Sequence, residues 1–139
     1  MRLTIQTDYA FRLVLYLSTF PGKVISAPIL ADKLCITERF TLRILRKLNL
    51  AGITTALRGP YGGYKINRDP KDITMYDVVK AINGDIEINC CTQADPYCSR
   101  NAIACCAVNV ALTEIQSMII EEFKSRTFDY LVKEGCRPV

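Results

Sequence analysis

The chain has 139 residues, half of them apolar and 23% charged, with a net charge of +4, which suits one globular domain with its own core. Mild basicity permits a nucleic-acid partner without demanding one, and the absence of histidine removes the usual acid–base residue, so an enzyme of the hydrolase kind is not expected. No apolar run approaches the roughly 20 residues that span a bilayer, and Met1-Arg2-Leu3-Thr4 leads straight into an amphipathic segment, so a cytoplasmic protein with no membrane partner is expected.

Thr7 or Asp8 is expected to cap a first helix that runs to about Thr19. Ala10, Val14 and Leu17, with Phe11, Leu13 and Leu15, give it a broad apolar face. Phe20-Pro21-Gly22 stops it. Ser26 caps a short second helix through Leu34, with Ile29, Leu30 and Leu34 inward. Cys35-Ile36-Thr37 makes a tight connection in which Cys35 reads as a small core residue. Thr37 then caps a third helix, from about Glu38 to Ala51, closed by Gly52. One stripe of this helix holds Phe40, Ile44, Leu45 and Leu48. Arg39, Arg43 and Arg46, joined by Lys47, fall largely on another. Two short helices, a tight turn and a cationic outer stripe are the signs of a helix-turn-helix. A merely solvated basic face would look the same from this helix alone.

The following stretch favours DNA. Ile53 to Arg58 is β-branched and extended, Gly59-Pro60-Tyr61-Gly62-Gly63 is a turn, and Tyr64 to Asn67 is extended again. A hairpin directly after a recognition helix reads as the wing of a winged helix, with Arg58 and Lys65 flanking a flexible tip. Arginine is favoured in narrow, strongly negative minor grooves. The tip is a poor phosphate loop, because no Gly-Lys-Ser/Thr follows and no helix starts at the glycines. The candidate DNA contacts are Arg39 and Arg43 in the major groove, Thr37 and Thr41 on the backbone, and Arg58, Gly59, Tyr61, Gly62 and Lys65 on the wing.

Asp69-Pro70 ends the hairpin, and Thr74 caps a fourth helix that buries Val78, Val79 and Ile82 and stops at Asn83-Gly84. A thiol-rich loop follows. Cys90, Cys91, Cys98, Cys105 and Cys106 are five of the seven cysteines in the chain. In a cytosolic protein such density points to metal or redox chemistry rather than structural disulfides. From Cys106 to about Lys124 the apolar residues Val108, Leu112, Ile115, Ile119 and Phe123, with Ala111, Met118 and Ile120 beside them, alternate four and three apart. A small domain has limited means of burying so long a stripe, so this reads as a dimer helix. Packing on the chain's own first helix is the alternative. Thr127 caps a last helix, Phe128 to Lys133, and Cys136 falls in a frayed tail. The expected organisation is one folded unit: a mostly α-helical winged helix-turn-helix with a small β-hairpin over residues 1–84, a sensing loop over 85–106, and a dimerisation helix with its tail over 107–139.

Several of these stretches, taken together, resemble the Rrf2 family of bacterial winged-helix transcription regulators, whose members include IscR-, NsrR-, RirA- and CymR-like proteins. They are Met1-Arg2-Leu3-Thr4, Asp8-Tyr9-Ala10, Leu30-Ala31-Asp32, Leu45-Arg46-Lys47-Leu48, Ala51-Gly52 and Ile73-Thr74, with the clustered cysteines. Arg58-Gly59-Pro60-Tyr61-Gly62-Gly63-Tyr64 is the most specific of them. The resemblance implies a homodimer on a palindromic double-stranded operator. It also implies an iron–sulfur cluster, 2Fe–2S or 4Fe–4S, whose state controls DNA affinity. Its ligands would be Cys106, Cys98 and Cys90, with Cys91 and Cys105 as alternates in the doubled pairs. Where IscR-like members carry a histidine ligand this chain has Asn109, and the resemblance offers Asp8 of the partner subunit as an oxygen ligand instead. Leu42 stands where some members carry an acidic base-reading residue, which implies a different operator. Three thiolates and one oxygen make an exchangeable site, suited to sensing nitric oxide, redox state or iron–sulfur supply. Two other uses of the thiols stay open: metal-free redox or partner control of the CymR type, and zinc. Zinc is disfavoured because adjacent cysteines point their side chains apart.

Overall fold

A computed structural model describes residues 3–135. Cys136 and the end of the expected tail lie outside the described residues. Six helices and one hairpin follow in order: α1 (Ile5–Thr19), α2 (Ala27–Leu34), α3 (Glu38–Leu50), β1 (Thr54–Leu57), β2 (Gly63–Ile66), α4 (Met75–Asn83), α5 (Ala107–Ser125) and α6 (Phe128–Glu134). This is a winged helix-turn-helix with a long C-terminal helix, as the sequence leads one to expect.

The core gathers the apolar faces of α1, α3, α4 and α6. Leu13, Val14 and Leu17 meet Ile44, Leu45 and Leu48, and Val78 and Phe128 close the cluster. Helix α3 ends where expected because Thr37 accepts the Phe40 N–H at its start and Gly52 takes a left-handed φ of +71° after its end. Helix α4 carries a full capping box, in which Thr74 and Asp77 satisfy each other's N–H groups.

The first helix begins earlier than the expected Thr7 or Asp8, because Thr4 is its cap. The Thr7 hydroxyl is taken by a long-range bond, donating to Asn83 Oδ1 at 2.6 Å, while Asp8 pairs with Arg12 at 2.7 Å. In α2 the buried residues are Ala27, Leu30 and Ala31, and Ile29 stands off that face at 52% exposed. Cys35 is likewise no core residue: it is exposed, and it ends α2 in a left-handed conformation.

The hairpin pairs Thr54 with Ile66 through to Leu57 with Gly63. A third extended segment, unseen in the sequence, adds to it. Ile25 exchanges both backbone hydrogen bonds with Tyr64, at 2.8 and 2.9 Å. The approach is so close that a Cβ on Gly63 would lie 2.5 Å from the Ile25 carbonyl oxygen, so that position requires glycine.

After α4 the packing thins. Ile86 is buried, but among the described residues none from Glu87 to Thr127 is. Helix α5 lies on α4 and on the short 3-10 turn Cys90–Thr92. The expected single stripe on α5 divides in two. Leu112, Ile119 and Phe123 are half-buried against the chain, whereas Val108, Ala111, Ile115 and Met118 face solvent. Helix α6 then returns to α1, with the Phe128 N–H donating to the Ile73 carbonyl at 2.9 Å.

Candidate DNA interface and thiol loop

Arg39, Leu42, Arg43 and Arg46 all lie exposed on α3, opposite its buried Thr41, Ile44, Leu45 and Leu48. Thr37 is exposed at the helix start, with its hydroxyl engaged as the cap. Two expectations on this helix need correction. Thr41 is fully buried, and its hydroxyl donates to the Thr37 carbonyl at 3.0 Å, so it has no face to offer DNA. Lys47 leaves the cationic stripe: its Nζ donates to Gln6 Oε1 at 3.2 Å and to the Ile82 carbonyl at 3.0 Å, tying α3 to α1 and α4.

The wing tip is Arg58 to Gly62. Arg58 and Gly59 are exposed, Tyr61 is 94% exposed, and Gly62 and Lys65 are half-buried. The Gly62 N–H donates to the Gly59 carbonyl at 3.0 Å, which folds the tip back on itself. A Cβ on Gly62 would collide with the Leu57 carbonyl oxygen, so this tight return also depends on glycine. The tip thus presents Arg58 and an unsupported aromatic ring from a compact backbone.

The loop thiols are all free and all at least partly exposed. Cys90 and Cys91 sit in their own 3-10 turn, Cys105 in a second (Ile103–Cys105), and Cys106 caps α5. Among the described residues no three thiol or carboxylate groups converge on a common point. Asp8 lies on α1 beside Arg12, whose guanidinium stacks 5.5 Å from the Tyr9 ring. Tyr9 in turn meets Phe40 of α3 edge to face at 5.6 Å, so a chain of contacts runs from Asp8 through Arg12 and Tyr9 to α3.

Hydrogen bonding by the backbone N–H groups of Ala102 and Arg100 holds the Cys98 pKa below the ordinary thiol value; desolvation works against this, and the Asn101 N–H and the Arg100 charge add to the lowering. A lowered folded-state pKa means that the thiolate persists as pH falls below the usual thiol range. The accompanying stability is present above the unfolded pKa and is lost as pH drops through the folded one.

Two residues join the loop to α5: Gln116, which the sequence pattern did not single out, and Asn109, which it marked only as standing in place of a histidine ligand. Gln116 and Asn109 bond to the segment Ile88–Thr92. Their signal in the sequence is two carboxamides seven residues apart within an otherwise apolar helical pattern.

The winged body with its thiol loop can be set beside known proteins. A family model described as "Rrf2: Iron-dependent Transcriptional regulator" matches residues 3–134. The chain belongs to the Rrf2 family. Among curated relatives, protein aau3 of Rhizobium meliloti (strain 1021) is 33% identical over 133 residues, covering 96% of this chain and 86% of that one. Among solved structures, CymR (YrzC), the global cysteine regulator of B. subtilis, superposes with a TM-score of 0.81 at 20% identity, covering 98% of this chain and 99% of that chain. IscR of T. potens gives a TM-score of 0.71 at 18% identity, covering 96% and 88%. At these identities the structural likenesses establish the shared Rrf2 fold. The family is one of transcriptional regulators. Among the described residues no helix is long and apolar enough to cross a membrane.

Proposed function

We propose that this Rrf2 protein is a homodimeric, DNA-binding regulator whose operator affinity is set by an iron–sulfur cluster held by the loop of residues 85–106. The observation that carries the reading is the state of the loop sulfurs: five thiols on one short segment, all free and reachable from solvent. A set of soft thiolates on a segment with little buried anchorage fits such a cluster in donor chemistry. Cys90, Cys98 and Cys106 would hold it, with Cys91 or Cys105 as substitutes and Asp8 of the partner subunit as an oxygen donor. Bound there, the cluster would supply a centre whose loss or nitrosylation is the signal. The chain does the rest. The loop bears on α5, the exposed stripe of α5 meets a second copy, and the relative placement of the two α3 helices follows. Half-sites of such dimers lie about one helical turn, roughly 34–36 Å, apart, so small shifts matter.

On DNA, Arg39 and Arg43 would contact the major groove and Arg58 a minor groove beside the wing. Arg58→Ala is expected to weaken operator binding by about 1–3 kcal/mol, roughly fivefold to 150-fold, in a titration at fixed salt. An unchanged affinity removes the wing from the interface.

Anaerobic purification tests the cluster. The protein should be brown, with iron and sulfide in matching amounts, and a Cys90→Ala/Cys98→Ala/Cys106→Ala variant should lose the visible absorbance. A protein that stays colourless after anaerobic reconstitution with iron and sulfide overturns this reading. That result supports the second reading, metal-free thiol or partner control of the CymR type. The observation favouring it is that the loop sulfurs stand apart.

A further inference from the structure

We infer that Gln116, with Asn109, is the positioning residue that makes the thiol loop and α5 move as one body. The inference takes its regulatory meaning from the cluster reading above, while its mechanical content rests on hydrogen bonds alone.

One side chain closes both ends of the segment. Gln116 Oε1 accepts the Ile88 N–H at 3.0 Å and the Thr92 hydroxyl at 2.7 Å, and its Nε2 donates to the Thr92 carbonyl at 3.2 Å. Two turns earlier on the same face, Asn109 Nδ2 donates to the Cys91 carbonyl at 2.8 Å. The segment between is stiffened from within. The Asn89 N–H donates to Thr92 Oγ1 at 3.2 Å, and Asn89 Oδ1 accepts the Cys90 N–H at 3.0 Å. The Thr92 hydroxyl has one proton and two acceptors in reach, Gln116 Oε1 and the Asn89 carbonyl at 2.9 Å, so the latch and the turn share it.

Apolar packing does not fasten this loop, because beyond Ile86 it buries no side chain among the described residues. The polar bonds therefore decide where the loop sits. The remainder of the loop reaches the clamped segment through the Tyr97 N–H, which donates to the Cys90 carbonyl at 3.1 Å. A displacement at Cys98 is thus passed to Cys90–Thr92, and from there to α5 through Gln116.

Amide hydrogen exchange on the full-length protein as purified, read by mass spectrometry, tests the mechanical half. Gln116→Ala should raise exchange about tenfold in peptides covering residues 86–92 and also in the first half of α5. Alanine is the better helix former, so faster exchange in α5 cannot come from propensity. Gln116→Glu keeps both bonds accepted at Oε1 but loses the bond donated to the Thr92 carbonyl, and should restore part of the protection. Acceleration confined to the loop, or absent from both, overturns the coupling. Operator titration tests the regulatory half, comparing protein reconstituted with iron and sulfide to protein stripped by chelator. The affinity ratio between these forms should shrink about tenfold in Gln116→Ala, with the circular dichroism unchanged. A wild-type ratio of one removes the cluster reading and leaves the exchange result to judge the latch. A wild-type ratio that survives intact in Gln116→Ala removes the latch.

Discussion

Truncating Phe128 to alanine is expected to destabilise the protein by about 3–5 kcal/mol, the cost of emptying a large aromatic site in a packed core. Phe128 is fully buried and heads the largest enclosed side chains of the molecule, although it belongs to the last helix. It is held from two sides. Its N–H bonds to Ile73, and Thr127 forms an antiparallel bridge with Thr74, at the point where α4 begins. The cavity would open among the side chains of the core that carries α3. Loss of so much stability is a large part of what a domain of this size possesses. A urea unfolding curve should therefore show a sharply lower midpoint. Tyr130→Ala, two residues on and 41% exposed, should move it little. Equal, small shifts for the two would mean that α6 is not an integral part of the winged body.

The same residue shows where reading the chain by itself stops. Local signals were sufficient for α3 and α4, because Thr37, Gly52, Thr74 and Asp77 act within a few residues of their own backbone. They failed wherever a side chain is claimed from afar. Thr7 looked like a cap until Asn83, distant in sequence, took its hydroxyl. Lys47 looked like part of the cationic stripe until Gln6 and Ile82 drew it inward. Thr41 sits beside the arginines in sequence but one helical step toward the core in space. Ile25 offered no run of alternating residues, since a single residue makes the bridge to Tyr64. For the thiol loop, composition named the donors. It could not give their arrangement, because no buried pattern fixes that stretch. The heptad-like spacing on α5 merged two stripes, and only the packing on α4 separates the one facing the chain from the one facing outward.

That outward stripe leads to the second large effect. Val108, Ile115 and Met118 are 64%, 48% and 66% exposed, and Ala111 lies between them on the same face. Scattered apolar side chains on a surface are ordinary, but a continuous stripe along a helix marks an association site. At the base of the stripe Met118 borders a shallow groove of about 310 Å³ with Met75, Ile119 and Phe123, open to receive a side chain from another helix. A second copy of α5 would supply the matching three- and four-residue spacing. The double variant Ile115→Lys/Met118→Lys would place charges where such a seam must be dry, and an unpaired buried charge is strongly destabilising to an interface. Neither side chain is buried in its own chain, so the fold should survive with unchanged circular dichroism. Ultracentrifugation should find a monomer. Affinity for a full palindromic operator should fall by about 100-fold or more, because linked half-site binding becomes two separate events. Binding to a single half-site should persist. Ser117→Lys, on the far side of α5, should leave the dimer intact. A double variant that remains dimeric would exclude this stripe as the seam. One that becomes monomeric yet keeps full operator affinity would show that the two α3 helices do not read DNA together.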